Sequence, residues 1–236
     1  MDVLADENVE AEDLLARAYA RFGERTLFTN AIDLEGSVIA HMIAKAGLPI
    51  RMVTLDTDVL FPDTYETRQR LQDVLGVEIE AIRPALTLEE QAEQIGPQLW
   101  QTQPNRCCQI RKVEPLERVL SEAQGWITGI RRDQTPERAH APKVSEDARF
   151  GVTKFNPLAD WSIDRVRAYL AEHNVPYNPM FDAGYPSIGC APCTRAVQAG
   201  EDPRAGRWSG FEKRECGLHF ETKADGTVSL KRSAQS

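Results

Sequence analysis

Hydrophobic positions along the chain change period in a regular way. Leu14, Leu15, Ala18, Tyr19 and Phe22 recur near helical spacing and predict an amphipathic helix within the first 25 residues. An apolar run over 26–31 then reads as a buried strand. Val38, Ile39, Met42, Ile43 and Ala46 return to helical spacing, with Gly47 as a C-terminal stop. Residues 50–55 make a second apolar strand, 63–75 a helix ending at Gly76, and 77–82 a third strand. Strand, helix, strand, helix, strand is the signature of a parallel sheet with crossover helices. Farther on, 113–123 predicts a helix, 126–129 a strand, and Ser162 the cap of a helix running to about His173. From Asn174 onward Pro and Gly accumulate, so the remainder reads as a loop-rich appendage rather than a second core.

Composition narrows the function classes. The 236 residues are 42% hydrophobic and 27% charged, the balance of a globular enzyme with a sizeable core. No apolar run reaches the length of a membrane span, and the acidic N-terminus lacks the basic start and apolar core of a signal peptide. The expectation is a cytoplasmic protein with no membrane partner. A net charge of −8 argues against non-specific nucleic-acid binding, which needs phosphate neutralisation by Lys and Arg. An anion can still be bound where cations gather locally. Arg131, Arg132 and Arg138 form one such group, and Arg195, Arg204, Arg207, Lys213 and Arg214 another.

Cysteine carries the chemistry. Five residues cannot all pair with one another, and in a reducing compartment metal binding or catalysis is the better reading. Cys107 and Cys108 are adjacent, and Cys190 and Cys193 form a Cys-Ala-Pro-Cys pair. Four thiolates in two close pairs suit zinc or an iron–sulfur cluster. Adjacent cysteines diverge in direction, which favours the separate corners of a 4Fe-4S cubane over one small ion. A buried pair of free cysteines and a redox dithiol are the remaining readings. Cys216 stands apart between basic neighbours and Glu215, on a glycine-containing tail suited to entering and leaving a site.

The motifs resemble the assimilatory adenylyl-sulfate reductases, a bacterial type related to the phosphoadenylyl-sulfate reductases. The resemblance rests on Cys107-Cys108-Gln-Ile-Arg111-Lys112, Gly129-Ile-Arg131-Arg132-Asp133-Gln-Thr-Pro136-Glu-Arg138 and Asn156-Pro157-Leu158-Ala-Asp-Trp161. It continues in Tyr185-Pro186-Ser187-Ile188-Gly189-Cys190-Ala-Pro192-Cys193, Asp202-Pro203-Arg204-Ala-Gly206-Arg207-Trp208 and Glu215-Cys216-Gly217-Leu218-His219. It implies an adenine nucleotide alpha-hydrolase-like α/β fold, a mostly parallel sheet flanked by helices with a loop-rich C-terminal tail. On this reading residues 1–221 form one reductase domain, with a catalytic tail at about 200–221 and a flexible C-terminus at 222–236. Two loops depart from the family. Leu55-Asp56-Thr57-Asp58 has Asp58 where the pattern ends in glycine. The first loop, Thr29 to Ser37, lacks the Ser-Phe-Ser-Gly-x-Glu-Asp pattern and carries no phosphate role of its own.

The resemblance further implies a 4Fe-4S cluster on Cys107, Cys108, Cys190 and Cys193. It places Lys112, Arg138, Arg204 and Arg207 against the phosphosulfate of adenosine 5′-phosphosulfate, with Asp56 and Thr57 also on the substrate. Cys216 is the nucleophile, forming an S-sulfonate that a thioredoxin or glutaredoxin then releases as sulfite, in sulfate assimilation toward cysteine biosynthesis. If the cysteine segment is helical, Lys112 lies one turn beyond Cys108. Arg195 and Arg214 read as surface cations. Competing readings are a reductase of the 3′-phosphorylated nucleotide, an ATP-dependent tRNA-thiolating enzyme and a zinc-stapled binding module. The oligomeric state, a homo-oligomer included, is left open.

Overall fold

The structure, a computed structural model, describes residues 7–213, 217–219, 221–222 and 228–229. Its backbone divides into two compact units interleaved along the chain. The first runs to Thr54 and adds Glu66–Ala81 and Val119–Tyr177, whereas the second takes Leu55–Tyr65, Ile82–Arg118 and the chain from Asn178 on.

The first unit is built on a six-stranded sheet. Its strands are β1 (Thr26–Thr29), β2 (Arg51–Leu55), β3 (Ile79–Ile82), β4 (Gly125–Ile127), β5 (Val144–Asp147) and β6 (Val152–Phe155), in the order β3-β2-β1-β4-β6-β5. β1 runs parallel to β2 and to β4, and β4 parallel to β6, with Leu27 opposite both Arg51 and Trp126. β4 and β6 are buried at every position, as central strands covered on both faces must be. β2 and β3 each end one residue inside the second unit's share of the chain. The mostly parallel α/β architecture expected from the sequence is therefore the one observed.

Helix α1 (Ala11–Phe22) buries Ala11, Leu14, Leu15 and Ala18, the stripe of an amphipathic helix. α2 (Leu34–Lys45) begins four residues before the expected first apolar position, because Asp33 caps it by accepting the Gly36 N–H. α3 (Pro62–Leu75) and α8 (Ile163–Glu172) fall where the periodicity puts them, the latter capped by Ser162 on the Arg165 N–H. The antiparallel hairpin of β5 and β6 is not anticipated by the sequence pattern. β5 reads Val-Ser-Glu-Asp, a polar edge strand, and Lys154 interrupts the apolar run of β6. That lysine is buried with its ammonium 4.5 Å from the Trp126 ring centre and 4.0 Å from Asp147 Oδ2.

The second unit is mostly short turns. α4 (Leu88–Gln94) starts at a capping box formed by Thr87 and Glu90. α5 (Leu99–Thr102) and α6 (Pro104–Cys108) lead into a π-helical turn, Gln109–Val113, and then α7 (Glu114–Leu120). The sequence gives a single helix over 113–123; the helical run instead begins at Pro104 and widens in its middle. Leu99, Cys107 and Ile110 pack as a small core with Trp100 against it. From Asn178 the chain forms 3-10 turns at Pro179–Asp182 and Ala191–Cys193, as its Pro and Gly content requires. Two-residue strands at Glu221–Thr222 and Val228–Ser229 pair antiparallel.

Candidate active site

Strand order reverses direction between β1 and β4, so the loops leaving their carboxyl ends border the crevice where open α/β sheets bind ligands. In the loop after β1, Asn30 Oδ1 accepts the Ile32 N–H at 2.8 Å and its Nδ2 donates to the Gly36 carbonyl at 3.1 Å. Asp33 accepts the Gly36 N–H at 2.7 Å. Position 36 is tight: a Cβ there would lie 2.1 Å from Asn30 Oδ1, so that side chain would have to shift. The helix-start amide that an anion would use is thus already taken by an internal carboxylate. Burial and the neighbouring Glu35 push Asp33 up to about 7, against the Gly36 N–H, Arg138 and Arg131, which act to lower it.

In the loop after β4, Arg131 is buried and spent on the protein itself. It donates through Nε to Glu35 at 2.6 Å, through Nη1 to the Trp161 carbonyl at 3.2 Å, and pairs with Asp133. Arg132 donates to the Ala141 carbonyl at 2.9 Å and pairs with Glu7. Arg138, also buried, donates to the neutral Gln134 side chain at 2.6 Å.

The second unit gathers the four paired cysteines around one pocket, lined also by Arg111, Lys112, Arg207 and Trp208. Cys107 and Cys108 are buried at the end of α6, where Pro104 starts the helix. Lys112 follows in the π-helical turn, so the segment is helical as supposed, with a wider turn than an α-helix; such π turns recur at functional sites. Cys190 forms an antiparallel bridge with Leu60, and the next amide, Ala191, donates to the Val59 carbonyl at 2.8 Å. Pro192 and the Cys193 N–H bond to the Cys190 carbonyl close the pair into one 3-10 turn. Burial, then the charges of Cys108, Cys190 and Cys193, push the Cys107 thiol up to about 12. Burial and the nearby Cys190 and Cys108 push Cys193 up to about 11, while Lys112 and Arg207 act the other way. Raised this far, both groups are neutral thiols near neutral pH.

The segment after the cysteine turn is strapped back onto it. Trp208 N–H donates to the Cys193 carbonyl at 3.0 Å and Arg195 N–H to the Gly206 carbonyl at 2.9 Å. Three cations surround the Trp208 ring: Arg207 at 4.5 Å from its centre, Lys213 at 5.3 Å and Arg204 at 6.0 Å. Arg207 Nη1 donates to the Ile188 carbonyl at 3.1 Å and to Ser187 Oγ at 3.3 Å, and Arg204 Nη1 reaches the same hydroxyl at 3.4 Å. A Cβ on Gly189 would lie 2.1 Å from Arg207 Nη2, so this glycine makes room for the guanidinium. The buried Arg207 Nε has no hydrogen-bond partner among the described residues. Arg195 pairs instead with Glu201 at 2.9 Å on the surface, the bland role the sequence gives it.

The loop after β2 turns its side chains to the protein. Asp56 accepts from the Asp58 N–H at 3.0 Å, Tyr65 Oη at 2.8 Å and Arg83 Nε at 3.2 Å. Thr57 is fully buried with its hydroxyl 3.2 Å from Cys190 Sγ. Of the residues singled out by sequence, Cys107, Cys108, Cys190, Cys193, Lys112, Arg204, Arg207, Asp56 and Thr57 belong to the second unit and Arg138 to the first. Cys216 and its neighbours Arg214 and Glu215 lie outside the described residues, as does most of 222–236. Sequence reasoning passed over Arg111, although it stands between the cysteine pair and Lys112. It also gave no role to Trp208, whose place amid basic residues was the available signal.

The open, mostly parallel α/β sheet with its crevice at β1 and β4 is of the adenine nucleotide alpha-hydrolase-like class, and the same chain carries a four-cysteine pocket edged by cations. The chain belongs to the phosphoadenosine phosphosulfate reductase domain family, whose pattern matches residues 25–196. It is 42% identical over 214 residues to the adenosine 5′-phosphosulfate reductase of Halalkalibacterium halodurans, covering 90% of this chain and 93% of that one. It is also similar to the crystal structure of the phosphoadenylyl-sulfate reductase of Candida auris in a phosphate complex. There the TM-score is 0.70 at 30% identity, over 80% of this chain and 91% of that one. The FMN adenylyltransferase of Candida glabrata shares the fold alone, with a TM-score of 0.55 at 15% identity over 82% of this chain and 65% of that one.

Proposed function

We propose that the chain is an adenylyl-sulfate reductase of sulfate assimilation that draws its electrons from a thioredoxin-type dithiol. The observation that carries this reading is the convergence of Cys107, Cys108, Cys190 and Cys193 on one pocket edged by Lys112 and Arg207. The donor set fits a 4Fe-4S cluster. It is all thiol, and the four side chains line one pocket. Four sulfurs spread around a single pocket suit a group with several corners. When bound, the cluster supplies a fixed charge distribution and a cross-link between the two cysteine turns.

The chain's own residues do the rest. Lys112, Arg204 and Arg207 hold the phosphosulfate oxygens, and Arg207 brings a buried donor that needs an acceptor. Family resemblance makes Arg138, in the first unit, a substrate residue as well, and Asp56 and Thr57 shape the loop after β2. The Cys216 thiolate attacks the sulfur of adenosine 5′-phosphosulfate. An S–S bond forms, the sulfur–oxygen bond to the phosphate breaks, and adenosine monophosphate leaves with the electron pair. A thiolate of the dithiol then attacks the Cys216 sulfur, sulfite departs, and the second thiol resolves the mixed disulfide, returning Cys216 as a thiol. The dithiol is oxidised by two electrons and the sulfonate sulfur is reduced by two.

The non-phosphorylated nucleotide is favoured because the relative alike over nine-tenths of its length is an adenosine 5′-phosphosulfate reductase and because cluster-free family members favour the 3′-phosphorylated one. No helix among the described residues is long and apolar enough to cross a membrane, and free cysteines suit the cytoplasm. Anaerobically prepared protein, assayed for sulfite release with each nucleotide and a thioredoxin-type dithiol, tests the reading. Faster turnover of the 3′-phosphorylated substrate would contradict it.

A further inference from the structure

The loop after β2 ends in Asp58, where the family pattern has glycine. Asp58 sits at φ +58°, in the left-handed region, with its N–H held by the Asp56 carboxylate at 3.0 Å. Aspartate and asparagine tolerate this conformation, so the backbone permits the exchange without explaining it. The carboxylate does. Asp58 Oδ2 pairs with Arg111 Nη2, and Oδ1 lies 3.7 Å from Arg83 Nε. Arg111 is 1% exposed and lies in the turn directly after Cys107 and Cys108. Its other donors go to neutral acceptors: Nε to the Thr57 carbonyl at 2.7 Å, Nη1 to Gln91 Oε1 at 3.2 Å and to the Leu86 carbonyl at 3.3 Å. It lines the same pocket as Cys107, Cys108, Cys190 and Cys193. A guanidinium buried this deeply is costly without a counter-ion. With glycine at position 58 its side-chain carboxylate partner in this structure would be missing.

We propose that Asp58 is a positioning residue for the cysteine pocket. Acting through Arg111, it ties the 55–58 loop, which also presents Thr57 to Cys190, to the turn bearing Cys107 and Cys108. It also offsets the cationic field behind those thiolates. This deepens the cluster reading above and rests on it for the electrostatic part.

The test compares the wild-type holoprotein with Asp58→Asn, which keeps the left-handed backbone and removes the charge, and with Asp58→Gly, which restores the family residue. Two readouts are taken: the reduction potential of the bound cluster and amide hydrogen exchange over 107–113. Both variants should move the potential upward, since removing a negative charge favours the more negative, reduced state. Exchange should quicken roughly tenfold, the loosening expected when a charged hydrogen bond is lost. A wild-type potential in both variants overturns the electrostatic role even if exchange quickens, and wild-type exchange overturns the tie between loop and turn. Absence of iron from the wild-type protein would sink the cluster reading alone, because the exchange comparison still judges the tie.

Discussion

Arg207 illustrates how much of the site is decided by single contacts. Gly189 clears space for its guanidinium, Ile188 and Ser187 take one nitrogen, Trp208 lies under the plane, and Nε is left with no described acceptor. Such an arrangement suits an anion that completes it. Arg207→Ala should therefore weaken nucleotide binding about tenfold, the worth of a charge-assisted hydrogen bond of roughly 1.5 kcal/mol. Titration calorimetry with adenosine monophosphate checks this, and an unchanged dissociation constant would count against the contact. Asp33 offers a second residue-scale test. Its folded pKa is pushed up to about 7 from an ordinary 3.8, so the folded state favours its protonated form. Its contribution to stability is then fullest below the unfolded value and lost as pH rises through about 7. Denaturant titrations of Asp33→Asn should show a flatter decline than wild type between these limits. Parallel curves would show that this carboxyl does not titrate as assigned.

At the scale of elements, the strands and helices of the first unit were largely legible in the sequence because apolar period and secondary structure agree there. α1 buries Leu14, Leu15 and Ala18 of the stripe its spacing predicts, α3 and α8 fall close to their expected spans, and the Ser162 cap was visible as a letter in the right place. The β5–β6 hairpin was not legible, since a polar edge strand and a lysine that shelters on Trp126 erase the alternation. In the second unit the two cysteine pairs announced a site, but α4 to α6 and the π turn carry too few residues each to build a period. Arg111 and Asp58 are a long-range pair, which spacing cannot reveal. The helix-start geometry of α2 makes its own prediction. Gly36→Ala would drive a methyl against Asn30 and should cost roughly 1–3 kcal/mol of stability, as overpacking does. Chemical denaturation measures it; a variant as stable as wild type would mean the loop after β1 yields freely.

For the molecule as a whole, two interleaved units divide the labour: a parallel sheet with its switch-point loops, and a turn-rich unit that assembles four thiols and their cations. Although the net charge is −8, Lys112, Arg204, Arg207 and Lys213 are concentrated in that second unit, a local gathering of cations of the kind that attracts anions. Replacing Cys190 or Cys193 with Ser should remove iron and sulfide from anaerobically purified protein together. A variant that stays fully loaded on elemental analysis would refute the ligand assignment. The central claim is that these four sulfurs hold the inorganic group while a fifth, Cys216, makes and breaks the bond to sulfur. Peptide mass spectrometry after incubation with adenosine 5′-phosphosulfate, without reductant, tests it most directly. The account predicts one sulfonate, on Cys216, that disappears with release of sulfite when a thioredoxin-type dithiol is added. A sulfonate on any of the other four cysteines, or turnover that survives Cys216→Ser, would contradict it.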